Sequence, residues 1–154
     1  MPVEFGQVTS WRATTGGTEQ TTGSGFVLGI PDAYRSTFPS EIRTLIGTRN
    51  GVLVAQQTAA NLHVGPGDAI TIGRAGLSSV RVTASSVIDL PSADALFQVV
   101  GAPPGATAQA PPDNVLIVPE REWHRIFDPL ARPRPDLVKT QIHVRLSHAL
   151  PNDP

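Results

Sequence analysis

Apolar and polar positions along the chain predict short strands separated by turns and short helices. Val80, Val82 and Ala84 alternate with polar residues, which is typical of a strand with one buried face. The run 115–118 is apolar throughout and predicts a strand buried on both faces. The alternation slips at 85–86, where we expect a β-bulge or a bend. The predicted strands cover 3–14, 25–30, 51–55, 69–73, 80–84, 115–118 and 142–146.

Three segments show helical spacing instead. Apolar residues at i, i+3 and i+4 predict a helix that opens at Phe38 and ends at Gly47. A short helix is expected over 56–62. The clearest helix covers 119–127, where proline occupies the start, glutamates fill the first turn, and Pro129 is expected to stop it. We expect its Trp123 in the core, and Trp11 as a half-buried strand residue.

Turn and loop signals separate these elements. Gly65, Pro66, Gly67 and Asp68 predict a structural type II turn, because proline presets φ at the second position and glycine accepts positive φ at the third. Polar segments predict an exposed hairpin loop over 14–25, an extended proline-rich loop over 101–113, and an untethered end over 150–154.

The order of these elements predicts an α+β fold with mostly antiparallel strands, since no regular series of strand, long crossover helix and strand is present. The chain has 154 residues, enough for one domain or for two small lobes.

Composition excludes several classes of function but does not identify the function. Twelve basic and thirteen acidic residues give a net charge of −1, so we expect no nucleic-acid partner. With no cysteine, disulfides, thiolate nucleophiles and zinc–thiolate sites are excluded. No apolar run of roughly 18 residues is present, and the first residues lack the pattern of a signal peptide.

Histidines are the first candidates for chemistry. His124 and Asp128 are spaced i, i+4 and could share a metal ion, but the residue before Pro129 is expected to leave helical geometry. His143 is expected to be solvated on the polar face of its strand. No further ligand motif accompanies these residues. The sequence therefore predicts no metal ligand.

Nucleophile and cofactor motifs are equally sparse. Ser24 lies between two glycines but lacks the G-x-S-x-G pattern of a nucleophile elbow. No dinucleotide or P-loop motif is present. Glu120 and Glu122 are two residues apart, so they should point to different sides of their helix. The sequence predicts no catalytic residue and no cofactor.

One ordered set of motifs does resemble a family. GVLVAQQTAANL at 51–62, then VGPGDAITIG at 64–73, is similar to a strand, a short helix and a "GD" turn in the extracytoplasmic core domain of MacB/FtsX-like ABC transporter permeases. VRVTASSVI at 80–88 is similar to a later strand of that domain. DNVLIVP at 113–119 and TQIHVRL at 140–146 resemble its last elements. The glycine of the family's "VvGv" motif is absent.

The resemblance implies a non-catalytic, extracytoplasmic domain at the cell membrane that contacts a partner or substrate and couples to transmembrane motion. It implies as partners the transmembrane part of the same permease, a separate ATPase subunit or domain, and an extracytoplasmic protein or a lipid or peptide substrate. It also implies a mixed α/β lobe over 1–47 and 101–154, and an inserted, barrel-like β-rich lobe over 48–100. The membrane helices would then lie outside this chain.

Two alternatives stay open. The chain could be a stand-alone module that binds a small ligand or a protein through its β-rich segment, 51–90. It could also be an enzyme, in which case mutation of His63 or His124 should abolish turnover.

Overall fold

The computed structural model describes residues 1–91 and 114–144, and the following bounds refer to that part of the chain. The helices are α1 (Tyr34–Thr37), α2 (Gln56–Leu62) and α3 (Glu120–Ala131), with a 3₁₀ turn at Pro135–Leu137. The strands are β1 (Pro2–Val8), β2 (Ser10–Thr15), β3 (Thr18–Thr22), β4 (Gly25–Ile30), β5 (Arg43–Gly47), β6 (Leu53–Ala55), β7 (Ala69–Arg74), β8 (Leu77–Thr83), β9 (Ser86–Asp89), β10 (Val115–Pro119) and β11 (Val138–Ile142).

These strands form two sheets. The first sheet has seven described strands in the order β11-β1-β4-β10-β6-β9-β5. Its neighbours are antiparallel except for the parallel pairs β4–β10 and β6–β9. The second has four described strands, all antiparallel, in the order β3-β2-β7-β8. The α+β class and the mostly antiparallel pairing are therefore confirmed.

In the described residues the chain passes between the two sheets four times: from β1 to β2, from β3 to β4, from β6 through α2 to β7, and from β8 to β9. The first and the last of these crossings are tight bends. β1 and β2 are separated by Thr9 alone, and β8 gives way to β9 at Ala84 and Ser85. The second bend is the irregularity predicted at 85–86, and Ser85 anchors it by donating its N–H to the Val52 carbonyl at 2.8 Å. Strands from both predicted lobes occur in both sheets, and the division into lobes stays a prediction.

Two apolar clusters cover the two faces of the first sheet. β10 contributes Leu116 and Val118 to the cluster beneath α3 and the second sheet, and Val115 and Ile117 to the opposite one. The predicted burial of this strand on both faces is therefore confirmed. Trp11 belongs to the first cluster and is fully buried, so its predicted half-exposure is wrong.

The largest error concerns the helix predicted over 38–47. The structure has the short helix α1 before it and strand β5 within it. Ile42 is buried, whereas Leu45 and Ile46 on β5 are exposed, so the three do not share one buried face. The pairing of β5 with β9 shifts register between Thr44 and Ile46. Gly47 is required there because φ is +96° and a Cβ would overlap the Ser85 carbonyl. Pairing with β9 outweighs the local helical pattern.

The segment expected to be an exposed hairpin loop at 14–25 is mostly strand. β2 and β3 pair up to Thr15 and Thr18, leaving a loop of Gly16 and Gly17 alone. Both glycines have positive φ, at +58° and +81°, as a two-residue type I′ hairpin requires. The threonines on either side are β-branched and favour strands, although the polarity of the segment suggests a loop.

Two C-terminal predictions are also wrong. Pro129 does not end α3, which continues to Ala131 and buries Leu130 completely. The last described strand pairs with β1 and ends at Ile142 rather than beginning there. The predicted loop 101–113 and the chain end 150–154 lie outside the described residues. No helix in the described residues is both long and apolar enough to cross a membrane.

Candidate functional site

Helix α3 approaches the first sheet closely because two glycines lie beneath it. A Cβ at Gly6 on β1 would overlap the Phe127 ring, and one at Gly29 on β4 would overlap Trp123. Trp123 is also fixed by a 3.0 Å hydrogen bond from its Nε1 to the Val27 carbonyl. The packing of Trp123 and the glycines at positions 6 and 29 together fix the position of the first turns of α3 on the sheet.

This packing brings Glu4 to the helix. Glu4 pairs across the strands with Gly29 and lies two residues before Gly6, on the same face of β1. Glu120 and His124 lie one turn apart at the start of α3. One ligand atom from each of the three side chains lies within 4.8 Å of the others. We call Glu4, Glu120 and His124 the Glu–Glu–His cluster.

The imidazole of His124 is held between two carboxylates. Its Nδ1 lies 2.8 Å from Asp128 Oδ1, and its Nε2 lies 3.9 Å from Glu120 Oε1. The hydrogen bond to Asp128, followed by the charges of Asp128, Glu4 and Glu120, raises the pKa of His124 above its ordinary value. Asp128 is inside α3, so the prediction that it leaves helical geometry is wrong.

Further contacts fix the surroundings of the cluster. Thr140 on β11 donates its hydroxyl to Glu4 Oε2 at 2.7 Å. A hollow of about 330 Å³, lined in part by Asp32 and Arg121, borders Glu120 and His124. It lies where the parallel strands β4 and β10 end, the usual place for a ligand crevice in such sheets.

The donor set determines what this arrangement can do. An imidazole nitrogen and two carboxylate oxygens are ligands for divalent transition metals. Glu122, two residues from Glu120, instead pairs with Arg125. The predicted separation of these two glutamates is therefore confirmed, and only Glu120 joins the cluster. Sequence analysis missed Glu4, because nothing near it in the chain connects it with His124.

His143 is not the solvated residue that the sequence predicts. Its Nδ1 lies 2.7 Å from the Tyr34 hydroxyl and its Nε2 lies 2.8 Å from Gln141 Oε1, beside the rings of Phe5 and Phe38. Burial, followed by the nearby positive N-terminus, lowers the pKa of His143. Burial and the charge of Glu41 raise the pKa of Tyr34. The pair is a partly buried contact, and both pKa shifts favour the neutral forms of its two groups.

The Gly65–Asp68 turn has the backbone expected from the sequence. Asp68 donates its N–H to the Gly65 carbonyl at 3.1 Å, and Gly67 has φ of +94°. The Asp68 carboxylate accepts the Gly65 N–H at 2.8 Å. Gly67 and Ala84 then tie the turn to the end of β8 through two 2.8 Å backbone hydrogen bonds.

The other candidates lie apart from the cluster. His63 is exposed, with a left-handed backbone at φ of +55° just after α2. Ser24 offers its carbonyl to the Asn114 side chain at 3.3 Å, which is a structural contact.

We compared the chain with models of known protein families and with curated proteins. No family model matches it, and no curated protein matches it either.

Proposed function

We propose that the chain is the extracytoplasmic domain of a MacB/FtsX-like ABC transporter permease. In this proposal it is non-catalytic, contacts a substrate or a partner protein, and couples that contact to motion of the transmembrane part. A separate ATPase subunit or domain hydrolyses ATP. The partner outside the membrane is a protein or a lipid or peptide substrate, and the net charge of −1 argues against nucleic acid.

The order of elements carries the proposal. Strand β6, helix α2, the Gly65–Asp68 turn and strand β7 follow one another as they do in the motifs that resemble the permease family. Strand β10 leads directly into α3, as the "d.vfvP" motif of that family implies. An ordered series of this kind is more specific than any one of its turns, since a Gly-Asp turn before a strand is common.

The link between the two sheets suits a domain that transmits motion. One apolar cluster runs continuously from the second sheet, through Ile70 and Ile72, to Trp123 and Phe127 on α3. Arg74 on β7 donates from Nη1 to the Ile126 carbonyl of α3 at 2.9 Å. Packed cores deform little, so a force applied to one sheet is passed to the other.

The described edges of the first sheet offer surfaces for a partner. On β5, Leu45 is 39% exposed and Ile46 is 56% exposed, and on β11 Ile142 is 64% exposed. In the described sheet these two strands lie at the ends of the strand order, and an edge strand is where a further strand can add.

The extracytoplasmic location of the chain is the property to test. Because the chain has no cysteine, Thr18→Cys at the exposed tip of the β2–β3 hairpin adds a single thiol to this segment, and the parent protein shows any labelling that arises elsewhere. Expressed in its natural reading frame and host, this variant should react with a membrane-impermeant maleimide in intact cells. Val27→Cys is the matched control, since Val27 is fully buried and should react only after denaturation. Labelling of the Thr18→Cys variant only after permeabilisation would overturn the proposal.

A further inference from the structure

We propose that the Glu–Glu–His cluster binds one divalent transition-metal ion, with Zn²⁺ as the preferred ion. The cluster joins β1 to α3, so a bound ion would tie the N-terminal strand to the helix. This inference does not depend on the proposed transporter function.

The distances fit such an ion after small side-chain movements. Zinc bonds of about 2.0–2.2 Å in tetrahedral geometry separate neighbouring ligand atoms by about 3.3–3.5 Å. The three ligand atoms already lie within 4.8 Å of one another, and His124 Nε2 is 3.9 Å from Glu120 Oε1. Glu4, Glu120 and His124 are each partly exposed, so rotation of their side chains can close the remaining gap.

The second observation is the way in which the imidazole is oriented. Asp128 takes the Nδ1 side of His124 at 2.8 Å and leaves Nε2 on the side of Glu120, at 3.9 Å from its Oε1. A carboxylate that accepts the far N–H of a metal-binding histidine is the usual support in such sites, where it fixes the tautomer and raises ligand basicity. Thr140 supports Glu4 in the same way through its 2.7 Å hydrogen bond.

The third observation is charge. Among the described residues, neither Glu4 nor Glu120 forms an ion pair with lysine or arginine, whereas Glu122 pairs with Arg125. Two carboxylates thus face one imidazole, an arrangement that a divalent cation neutralises. The adjoining hollow leaves room for water at the fourth ligand position and gives the ion a way in.

The imidazole also decides which ion is preferred. Nitrogen donors suit zinc and its neighbours, whereas magnesium and calcium prefer all-oxygen sites with more ligands. The sequence predicts no metal ligand, because the only partner that its spacing suggests for His124 is Asp128, which precedes Pro129. The structure instead gives Asp128 a supporting position and brings in Glu4 as a ligand.

Isothermal titration of the full chain with ZnCl₂ tests the site. We expect one saturable Zn²⁺ per chain and a rise in Tm on binding. Asp128→Asn should weaken binding about tenfold or more, as loss of a supporting carboxylate usually does. His124→Gln, Glu4→Gln and Glu120→Gln should each weaken it further.

Two controls separate this site from general binding to surface histidines and carboxylates. Glu122→Gln lies on the same helix, and His63→Asn keeps a residue that tolerates left-handed backbone; both should bind Zn²⁺ like the parent. Circular dichroism and the metal-free Tm show whether each variant is folded. Absence of saturable binding, unchanged affinity in His124→Gln, equal losses in the controls, or equally tight binding of Mg²⁺ would each overturn the proposal.

Discussion

Two histidines of this chain occupy opposite environments. His143 lies among Phe5, Tyr34 and Phe38, and both of its ring nitrogens have neutral partners. His124 lies on the open side of α3, with carboxylates on both sides of its ring. Burial lowers the pKa of the first, and the hydrogen bond to Asp128 raises that of the second.

The difference shows that the role of a histidine here is set by the elements packed against it. The sequence predicts a solvated His143 and offers only Asp128 as a partner for His124, because the residues beside them in the chain suggest no more. His143 stabilises the face of the sheet that Tyr34 covers. His124 lies among carboxylates on the opposite side of the same sheet, where they favour its charged form or a bound metal ion.

The largest expected effect that tests this contrast is the loss of Tyr34. Tyr34 is 1% exposed, and its hydroxyl is the polar partner of His143 Nδ1. Tyr34→Ala should lower the free energy of unfolding by about 3–5 kcal/mol, the range for removing a buried aromatic ring. Urea unfolding followed by circular dichroism measures it.

The control for this change is Tyr34→Phe. It keeps the ring and removes only the hydroxyl, so it should cost about 1–2 kcal/mol, the effect of leaving the partly buried His143 Nδ1 without its hydrogen-bond partner. If Tyr34→Ala cost no more than Tyr34→Phe, the tyrosine ring would not be part of the core as described.

The next largest effects are expected when the histidines themselves are replaced. His143→Ala removes two hydrogen bonds and ring contacts, so we expect a loss of about 1–2 kcal/mol in the free energy of unfolding. Without metal, His124→Ala should cost less than about 0.5 kcal/mol, because the side chain is 43% exposed and surface ion pairs contribute little. Equal losses in metal-free buffer would contradict the contrast between them.

The sequence predicts well where one local signal decides the structure. The apolar run of β10, the helical face of α3 around Trp123, and the glycines of the 65–68 turn each act within a few residues. It fails at β5, where pairing with β9 and a register shift replace an apparent helical spacing. It also fails at Pro129, where burial of Leu130 outweighs the backbone hydrogen bond that proline cannot donate.

The candidate site shows the same limit. The spacing of Glu120, His124 and Asp128 along one helix can be read from the sequence. Glu4 cannot be found in this way, because it reaches them only through pairing of β1 with β4 and the close packing of α3 on Gly6 and Gly29. No signal within one segment contains that information.

A smaller effect is the pH dependence of the two rings. NMR titration should give His143 a pKa below about 6.5 and His124 a pKa above it. The pKa of His143 is lower in the folded protein than in the unfolded chain. The contribution of His143 to the free energy of unfolding therefore falls as the pH drops through about 6.5 towards the folded pKa. The contribution of His124 has the opposite sign and is lost as the pH rises through its folded pKa. Titration of both rings on the same side of 6.5 would remove the contrast.

The smallest expected change identifies which group raises the pKa of His124. Asp128→Asn removes the charge of the main partner of His124 and should lower the pKa of that ring towards its ordinary value, while His143 titrates as before. Glu122→Gln is the matched control on the same helix, since Glu122 pairs with Arg125 and should leave His124 unchanged. NMR titration in metal-free buffer measures both variants. If Glu122→Gln lowered the pKa as much as Asp128→Asn, the general charge of the helix rather than the Asp128 hydrogen bond would set the protonation of His124.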